Sequence, residues 1–169
     1  KFYTASNGKK VVVGISTSNS LVGILFGEHA FIMCIDEQNP KKSIMLDASG
    51  EYGGGRSADI IDGYQIEISV ENYLKYWNTN EKLTTFELIL SEADVKNIKK
   101  AIESIEGRSW LTCAYKASEV LNENYSSEIK KCSSPKGLLK ELQDYKSKNP
   151  NGIIVKNYDF KTNKEIFDE

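Results

Sequence analysis

Short apolar runs separated by polar and glycine-containing turns dominate the first half of the chain. Residues 11–15 form a short run of β-branched residues around Gly14 and precede the turn-forming cluster 16–20, which predicts a strand followed by a loop. Residues 21–26 form a second apolar run, whose glycines indicate close backbone approach or a bulge. Residues 29–36 predict a strand that is apolar on both faces.

A hairpin is predicted next, because residues 37–42 are a strong turn signal and residues 43–49 form a return strand. Antiparallel pairing would bring residues 47–50 opposite or diagonal to His29, within reach of a cross-strand neighbour. Asp47, Ser49 and Glu51 compete for that position. We favour Asp47, since it alone interrupts the apolar run of its strand.

The middle of the chain contains both the alternating pattern of strands and the three-to-four-residue spacing of helices. Residues 64–70 alternate as a half-buried strand does, and residues 83–90 predict another strand. Between them, Tyr73, Tyr76 and Trp77 recur at near-helical spacing. Aromatic residues in such a pattern favour a hydrophobic core over a ligand-stacking platform.

Helical signals dominate the second half. Ser91 and Asp94 form a capping box that opens a helix, and Pro135 after Ser133 or Ser134 begins another that extends to about residue 146. The inward positions of these two helices are Val95, Ile98, Ile102 and Ile105, and Leu138, Leu139 and Leu142. A strand is predicted at residues 153–155, and the charged tail from Lys161 is expected to fray.

A further helix is predicted to begin near Cys113, after Gly107, with Ser109 and Thr112 as candidate N-caps. In the first turn, free backbone N–H groups and the helix dipole stabilise a thiolate, the form that attacks carbonyl carbon. The competing interpretation is that Cys113 is a small buried apolar residue. We interpret Cys34 as a core residue and Cys132 as an incidental loop residue.

Composition narrows the classes of function. The 169 residues suit one domain, predicted over 1–169, and the net charge of −2 provides no electrostatic footprint for nucleic acid. Three cysteines cannot all pair within the chain, so a disulfide scaffold is not indicated. Neither a membrane span nor a signal peptide is predicted, and because the chain starts at Lys1, the compartment stays open.

The glycine-rich segment 53–56 predicts a mobile loop at the rim of a site. It lacks the ending of a phosphate-binding loop, so a nucleotide site is not indicated. Gly54 and Arg56 are candidate substrate-binding residues, with Arg56 able to contact a carboxylate. Tyr115, close to Cys113, is a third candidate.

His29 is the only histidine in the chain, and the predicted hairpin puts it beside an acid. Together with a capped cysteine this is the set that acyl transfer needs. A thiolate attacks the carbonyl, an imidazole moves the proton, and an acid orients the ring. This chemistry requires no metal and no cofactor.

The chain resembles the circularly permuted branch of the NlpC-like papain-fold superfamily, in which the histidine precedes the cysteine. The motifs are His29-Ala-Phe-Ile, Met45-Leu-Asp-Ala-Ser-Gly50, Phe86-Glu-Leu before the helix from Ser91, Leu111-Thr-Cys-Ala-Tyr115 and Ser134-Pro-Lys-Gly-Leu138. The similarity covers residues 20–142. It implies an α+β papain-like fold, an antiparallel sheet packed against helices with the nucleophile at a helix N-terminus.

The resemblance also implies site roles: Cys113 as nucleophile, His29 as general base and Asp47 as the third polar residue. Two features depart from the family pattern. Thr112 stands where these families often have Asp or Asn before the cysteine. No upstream side chain completes an oxyanion hole, so the backbone N–H of Cys113 is the one donor that we name.

The preferred function is therefore a thiol peptidase or amidase. By analogy with the superfamily, it would cleave a peptide link of peptidoglycan as a secreted or periplasm-delivered effector with a cognate immunity or inhibitor protein; a cytoplasmic location stays open. The first alternative is an acyltransferase or lipid esterase of the lecithin retinol acyltransferase-like type, which would need an apolar groove. The second is a catalytically inactive binding module on the same fold.

Overall fold

The structure is a computed structural model, and it describes residues 8–48, 52, 59–77, 81–105 and 113–166. These residues contain seven strands and five α-helices. The strands are β1 (Lys9–Thr17), β2 (His29–Asp36), β3 (Ile44–Leu46), β4 (Ile60–Asp62), β5 (Lys82–Leu88), β6 (Ile153–Asp159) and β7 (Lys164–Ile166). The helices are α1 (Leu21–Phe26), α2 (Val70–Tyr76), α3 (Glu92–Glu103), α4 (Cys113–Asn124) and α5 (Pro135–Lys148), with a 3-10 helix at Pro40–Lys42.

All seven strands form one antiparallel sheet in the order β4-β3-β2-β1-β5-β6-β7. β1 lies centrally because its valines are buried on both faces. Gly14 of β1 pairs with Phe31 of β2, and a Cβ at Gly14 would lie 2.0 Å from the Phe31 ring. This close approach admits only glycine, and it lets the Phe31 ring cover the strand beside the start of β2.

The two faces of the sheet have different covers. One face packs against α3, α4 and α5, and its core is aliphatic apart from Phe86; representative members are Val13, Ile32, Leu46, Ile98, Ala117 and Leu138. The opposite face packs against α2 and is rich in aromatic residues; its core includes Phe31, Met45, Tyr52, Tyr73, Leu74 and Phe160. Successive residues of a strand alternate between these faces.

The predicted α+β class is confirmed: an antiparallel sheet packs against helices, and α4 begins at Cys113. The hairpin is confirmed as well, since β2 and β3 pair in antiparallel register. Both serine caps also hold. Ser91 accepts a hydrogen bond from the Asp94 N–H, and Ser134 accepts one from the Gly137 N–H. The predicted single domain over 1–169 stays a prediction.

Three predictions are wrong. Residues 64–69 are turn and loop and Val70 begins α2, because the alternation comes from Ile66 and Ile68 packing inward without a partner strand. Of the two alternatives for residues 21–26, the bulge is wrong, because these residues form helix α1, capped by Ser20. The close backbone approach is confirmed, since a Cβ at Gly23 would lie 2.9 Å from the Ser18 carbonyl oxygen. The charged tail does not fray as far as Ile166, because Lys164–Ile166 form strand β7, which pairs with β6. Strand β4 gave no recognisable pattern in the sequence.

The part of the chain that the structure describes includes no helix long and apolar enough to cross a membrane. The longest described helix, α5, has 14 residues, and charged residues interrupt its sequence. A membrane-spanning helix needs about 20 predominantly apolar residues.

Candidate active site

His29 is the first residue of β2, where it pairs with Ser16 at the end of β1. Alternation along the strand places its side chain on the same face as Phe31 and Met33, the face covered by α2. The side chain is 18% exposed. A histidine here can therefore meet solvent on one side and the aromatic core on the other.

Asp47 follows the last residue of β3. The register Ile32 to Leu46 puts Asp47 opposite Phe31, and so diagonal to His29 on the same face. The Asp47 side chain is 1% exposed, and its Oδ1 forms a short hydrogen bond with Nε2 of His29. A buried carboxylate requires such a partner, because an unpaired buried charge is very costly.

Cys113 reaches the same point from the other side of the sheet. Helix α4 packs its apolar side, including Ala114, Ala117 and Leu121, against the face of the sheet that α3, α4 and α5 cover. Its first residue is half-buried at the rim, where the Cys113 thiol is hydrogen-bonded to His29. Because Nε2 of His29 contacts Asp47, Nδ1 is the ring nitrogen left for the sulfur.

The electrostatics favour a charged pair. Burial opposes a low pKa for the Cys113 thiol, but the hydrogen bond to His29, its charge and the backbone groups of Ala30 and Ala114 bring the pKa below its usual value. Burial likewise opposes a high pKa for His29, but Asp47 and the Cys113 sulfur raise the pKa well above its usual value. Both shifts stabilise thiolate with imidazolium over the neutral pair.

Tyr52 supports this arrangement, although no pattern in the sequence predicts its role. Its backbone N–H donates to Oδ2 of Asp47 at 3.3 Å, and its buried ring contacts Tyr73 at a centroid distance of 5.1 Å. The Tyr52 hydroxyl donates to the Glu67 carbonyl at 2.9 Å and accepts from Asn72 at 2.8 Å. An aromatic residue directly before three glycines was the one available signal, and it indicated no role.

The structure brings together Cys113, His29 and Asp47. The candidate rim residues Gly54 and Arg56 lie outside the described residues, as do Ser49, Glu51 and the candidate caps Ser109 and Thr112. Tyr115 is 41% exposed, and helical spacing turns it about 200° around α4 from Cys113. Its role in substrate binding stays a prediction.

The other two cysteines lie elsewhere. Cys34 is 3% exposed, and burial raises its pKa to about 12. Burial also raises the pKa of Cys132, whose backbone N–H donates to the Ser118 hydroxyl at 3.0 Å. Both thiols are therefore stabilised in the neutral form, in contrast to Cys113.

Among the described residues, no group of three or more His, Cys, Asp or Glu side chains could hold a metal ion. The groups that meet at Cys113 are a thiol, an imidazole and a carboxylate. Chemically, they can transfer a proton and form a covalent bond to an electrophilic carbon.

Comparison with known proteins adds one structure. No protein-family model matches the chain, and no curated protein matches it. A crystal structure of the type VI secretion system effector TseH is similar over 97% of this chain and 100% of that chain, at 16% identity and a TM-score of 0.48. A likeness at this level assigns neither a fold family nor an activity to this chain.

Proposed function

We propose that this protein is a cysteine hydrolase that cleaves an amide bond, with Cys113 as nucleophile, His29 as general acid and base, and Asp47 as the orienting acid. One observation supports the proposal above all others. A continuous chain of hydrogen bonds runs from the buried Asp47 carboxylate through the imidazole to a thiol at the start of a helix.

In the first half of the proposed reaction, the Cys113 thiolate attacks the carbonyl carbon and pushes its electrons onto oxygen. The backbone N–H of Cys113 donates to that oxygen. The His29 imidazolium then gives its proton to the amide nitrogen, the C–N bond breaks, and an amine leaves a thioester on the sulfur. In the second half, His29 takes a proton from water, the hydroxide displaces sulfur, and the acid product leaves.

The proposed substrate is a peptide link of bacterial peptidoglycan, within one catalytic domain over residues 1–169. We also propose that the protein is secreted or delivered to the periplasm as an effector, with an immunity or inhibitor protein as its partner. The proposed substrate, delivery and partner rest on the resemblance of the motifs around His29, Asp47 and Cys113 to the permuted NlpC-like branch. The rim residues Gly54, Arg56 and Tyr115 would contact the substrate.

Mass spectrometry of purified peptidoglycan fragments after incubation with the protein tests this function. We expect one class of amide bond to be cleaved, with Cys113→Ala inactive and Cys132→Ala as active as the wild type. Cys132→Ala is the control, because it removes a half-buried cysteine that has no imidazole partner. Cleavage by Cys113→Ala would contradict the mechanism. If the wild-type protein leaves the fragments uncleaved although its Cys113 thiol is reactive, the proposed substrate is wrong.

A second candidate function, acyl transfer or lipid ester cleavage by the same three residues, is favoured by helix α1. Its residues Leu21, Ile24 and Leu25 are 74%, 52% and 55% exposed, and α1 ends three residues before His29. The Ser20 hydroxyl caps its start, and the Lys136 ammonium donates to the Ile24 carbonyl near its end. An exposed apolar surface this near His29 in the chain suits an acyl chain.

The same incubation with phospholipid vesicles separates the two functions. Release of fatty acid or transfer of an acyl group, reduced by Leu21→Gln and Leu25→Gln but not by Ile154→Gln, would favour the second candidate. Ile154 is the matched control, because it is also exposed but lies on strand β6. Intact lipids together with cleaved peptidoglycan fragments would favour the first.

A further inference from the structure

A cavity of about 400 Å³ lies at the end of the sheet opposite to the candidate active site. It opens between the end of β2 and the first turns of α3, and Cys34, Ile35 and Val95 form the apolar part of its wall. Asp36 lies seven positions after His29 along β2, a distance of about 23 Å at the usual rise of a strand. The cavity is therefore separate from the thiol and its partners.

The polar part of the wall is strongly basic. Four lysines contribute to it, Lys9, Lys42, Lys96 and Lys99, against only two acids, Asp36 and Glu92. The protein as a whole has a net charge of −2, so this concentration of ammonium groups runs against its overall charge. Like charges around one cavity repel each other, and an anion between them would relieve that repulsion.

Both acids and two of the lysines already have partners. Glu92 is paired with Lys9 at 3.6 Å, and the Asp36 carboxylate accepts from the backbone N–H groups that follow it, at 3.1 and 3.0 Å. Lys99 donates to the Lys42 carbonyl at 2.8 Å, which ties α3 to the 3-10 helix.

The remaining two ammonium groups, those of Lys42 and Lys96, have neither an ion pair nor a hydrogen bond within the described part of the chain. The positive charge at the cavity is thus uncompensated at these two side chains. Their positions on different elements, the 3-10 helix and α3, let them approach one ligand from two sides.

We propose that this cavity binds an amphipathic organic anion, whose carboxylate or phosphate group pairs with Lys42 and Lys96 and whose apolar body covers Cys34 and Val95. The volume lies within the range of about 300–1,000 Å³ that small-molecule sites occupy. Such sites combine apolar walls with a few convergent polar groups, and lysine binds both kinds of head group as a point charge. The site is independent of the proposed hydrolase function.

Fluorescence titration with 8-anilinonaphthalene-1-sulfonate, which joins an apolar body to an anionic group, tests the proposal on the full chain. We expect saturable binding that weakens as salt is added. The double variant Lys42→Gln/Lys96→Gln should bind at least about tenfold more weakly, the equivalent of one lost charge-assisted contact. The control Lys140→Gln/Lys148→Gln removes the same charge from the exposed side of α5 and should bind like the wild type.

Displacement then identifies the head group. Decanoate and decyl phosphate share an apolar chain and differ only in the anion, so the stronger competitor names the preferred ligand class. Equal affinity of the wild type and Lys42→Gln/Lys96→Gln would overturn the proposal, as would a bound probe that neither competitor displaces. Because both lysines are exposed, their replacement leaves the core intact, which an unchanged urea midpoint would verify.

Discussion

The two ends of strand β2 show what separates a reactive thiol from an inert one. At the first end, His29 lies between Asp47 and Cys113, and the pKa of that thiol is lowered although it is partly buried. Near the other end, Cys34 is buried more completely without an imidazole, and burial raises its pKa to about 12. The groups at the two ends of this strand therefore shift the pKa of the neighbouring thiol in opposite directions.

The difference lies in partners and not in depth. Desolvation disfavours both thiolates, as it does any buried anion. Only Cys113 has an imidazolium and two backbone groups to offset that cost. For Cys34, the charge of Lys99 lowers the thiol pKa, but burial and the charge of Glu103 raise it.

Removing the imidazole should produce the largest change at the first end. His29→Ala leaves Cys113 without its proton acceptor, and we expect kcat/KM to fall by about 10²–10⁴-fold, the usual contribution of a general base. The pKa of the Cys113 thiol should also rise, which the pH dependence of its alkylation measures. An unchanged alkylation profile would show that His29 does not determine the thiol pKa.

Replacing the acid should have a smaller effect. In Asp47→Asn, the amide oxygen can still accept the Nε2–H bond of His29, but the negative charge that raises the histidine pKa is lost. We expect kcat/KM to fall about tenfold, because a neutral hydrogen bond replaces a charge-assisted one.

The pH profile distinguishes this effect from general damage. The imidazolium must protonate the leaving amine, and its pKa falls in Asp47→Asn, so the alkaline limb of activity should move to lower pH. The acidic limb of the activity profile should move less, since it follows the pKa of the Cys113 thiol. An alkaline limb that stays in place would contradict the role of the Asp47 charge.

At the other end of β2, Cys34→Ala should change stability and not activity. The substitution opens a small void in the core between the sheet and helices α3, α4 and α5, which costs about 1 kcal/mol of unfolding free energy. Urea denaturation measures that loss, and activity should match the wild type. Reduced activity in this folded variant would show that the two ends of the strand are coupled.

The support of Asp47 should contribute less to activity than the charge of Asp47 does. Tyr52→Phe removes a hydroxyl that bonds to Glu67 and Asn72, but it keeps the ring and the backbone N–H that contacts Asp47. We expect a loss of about 1 kcal/mol in stability and a decrease in kcat/KM of less than about tenfold. Tyr64→Phe, at an exposed tyrosine, is the control and should change neither.

Much of the fold was predictable, because its signals are local. The serine caps at Ser91 and Ser134 and the hairpin of β2 and β3 follow from residues near each other in the chain. The loop around Ile68 was predicted wrongly, since alternation reports which side chains are buried and not whether a partner strand exists. Strand β4 is three residues long, too short for a periodic signal.

The site was predictable to a similar extent. A single histidine and an acid that interrupts an apolar strand predicted the juxtaposition of His29 and Asp47, which the register of β2 and β3 produces. The support from Tyr52 could not be predicted, because it depends on tertiary contacts with Asn72 and the Tyr73 ring. Neither contact has a sequence pattern.

Alkylation of the intact protein by iodoacetamide at mildly acidic pH tests the central claim, that His29 and Asp47 hold Cys113 as a thiolate. Mass spectrometry would give the rate at each cysteine. We predict that Cys113 reacts much faster than Cys34 and Cys132, and that His29→Ala removes this difference. Equally slow reaction of all three thiols in the wild type would contradict the account and favour an inactive binding module.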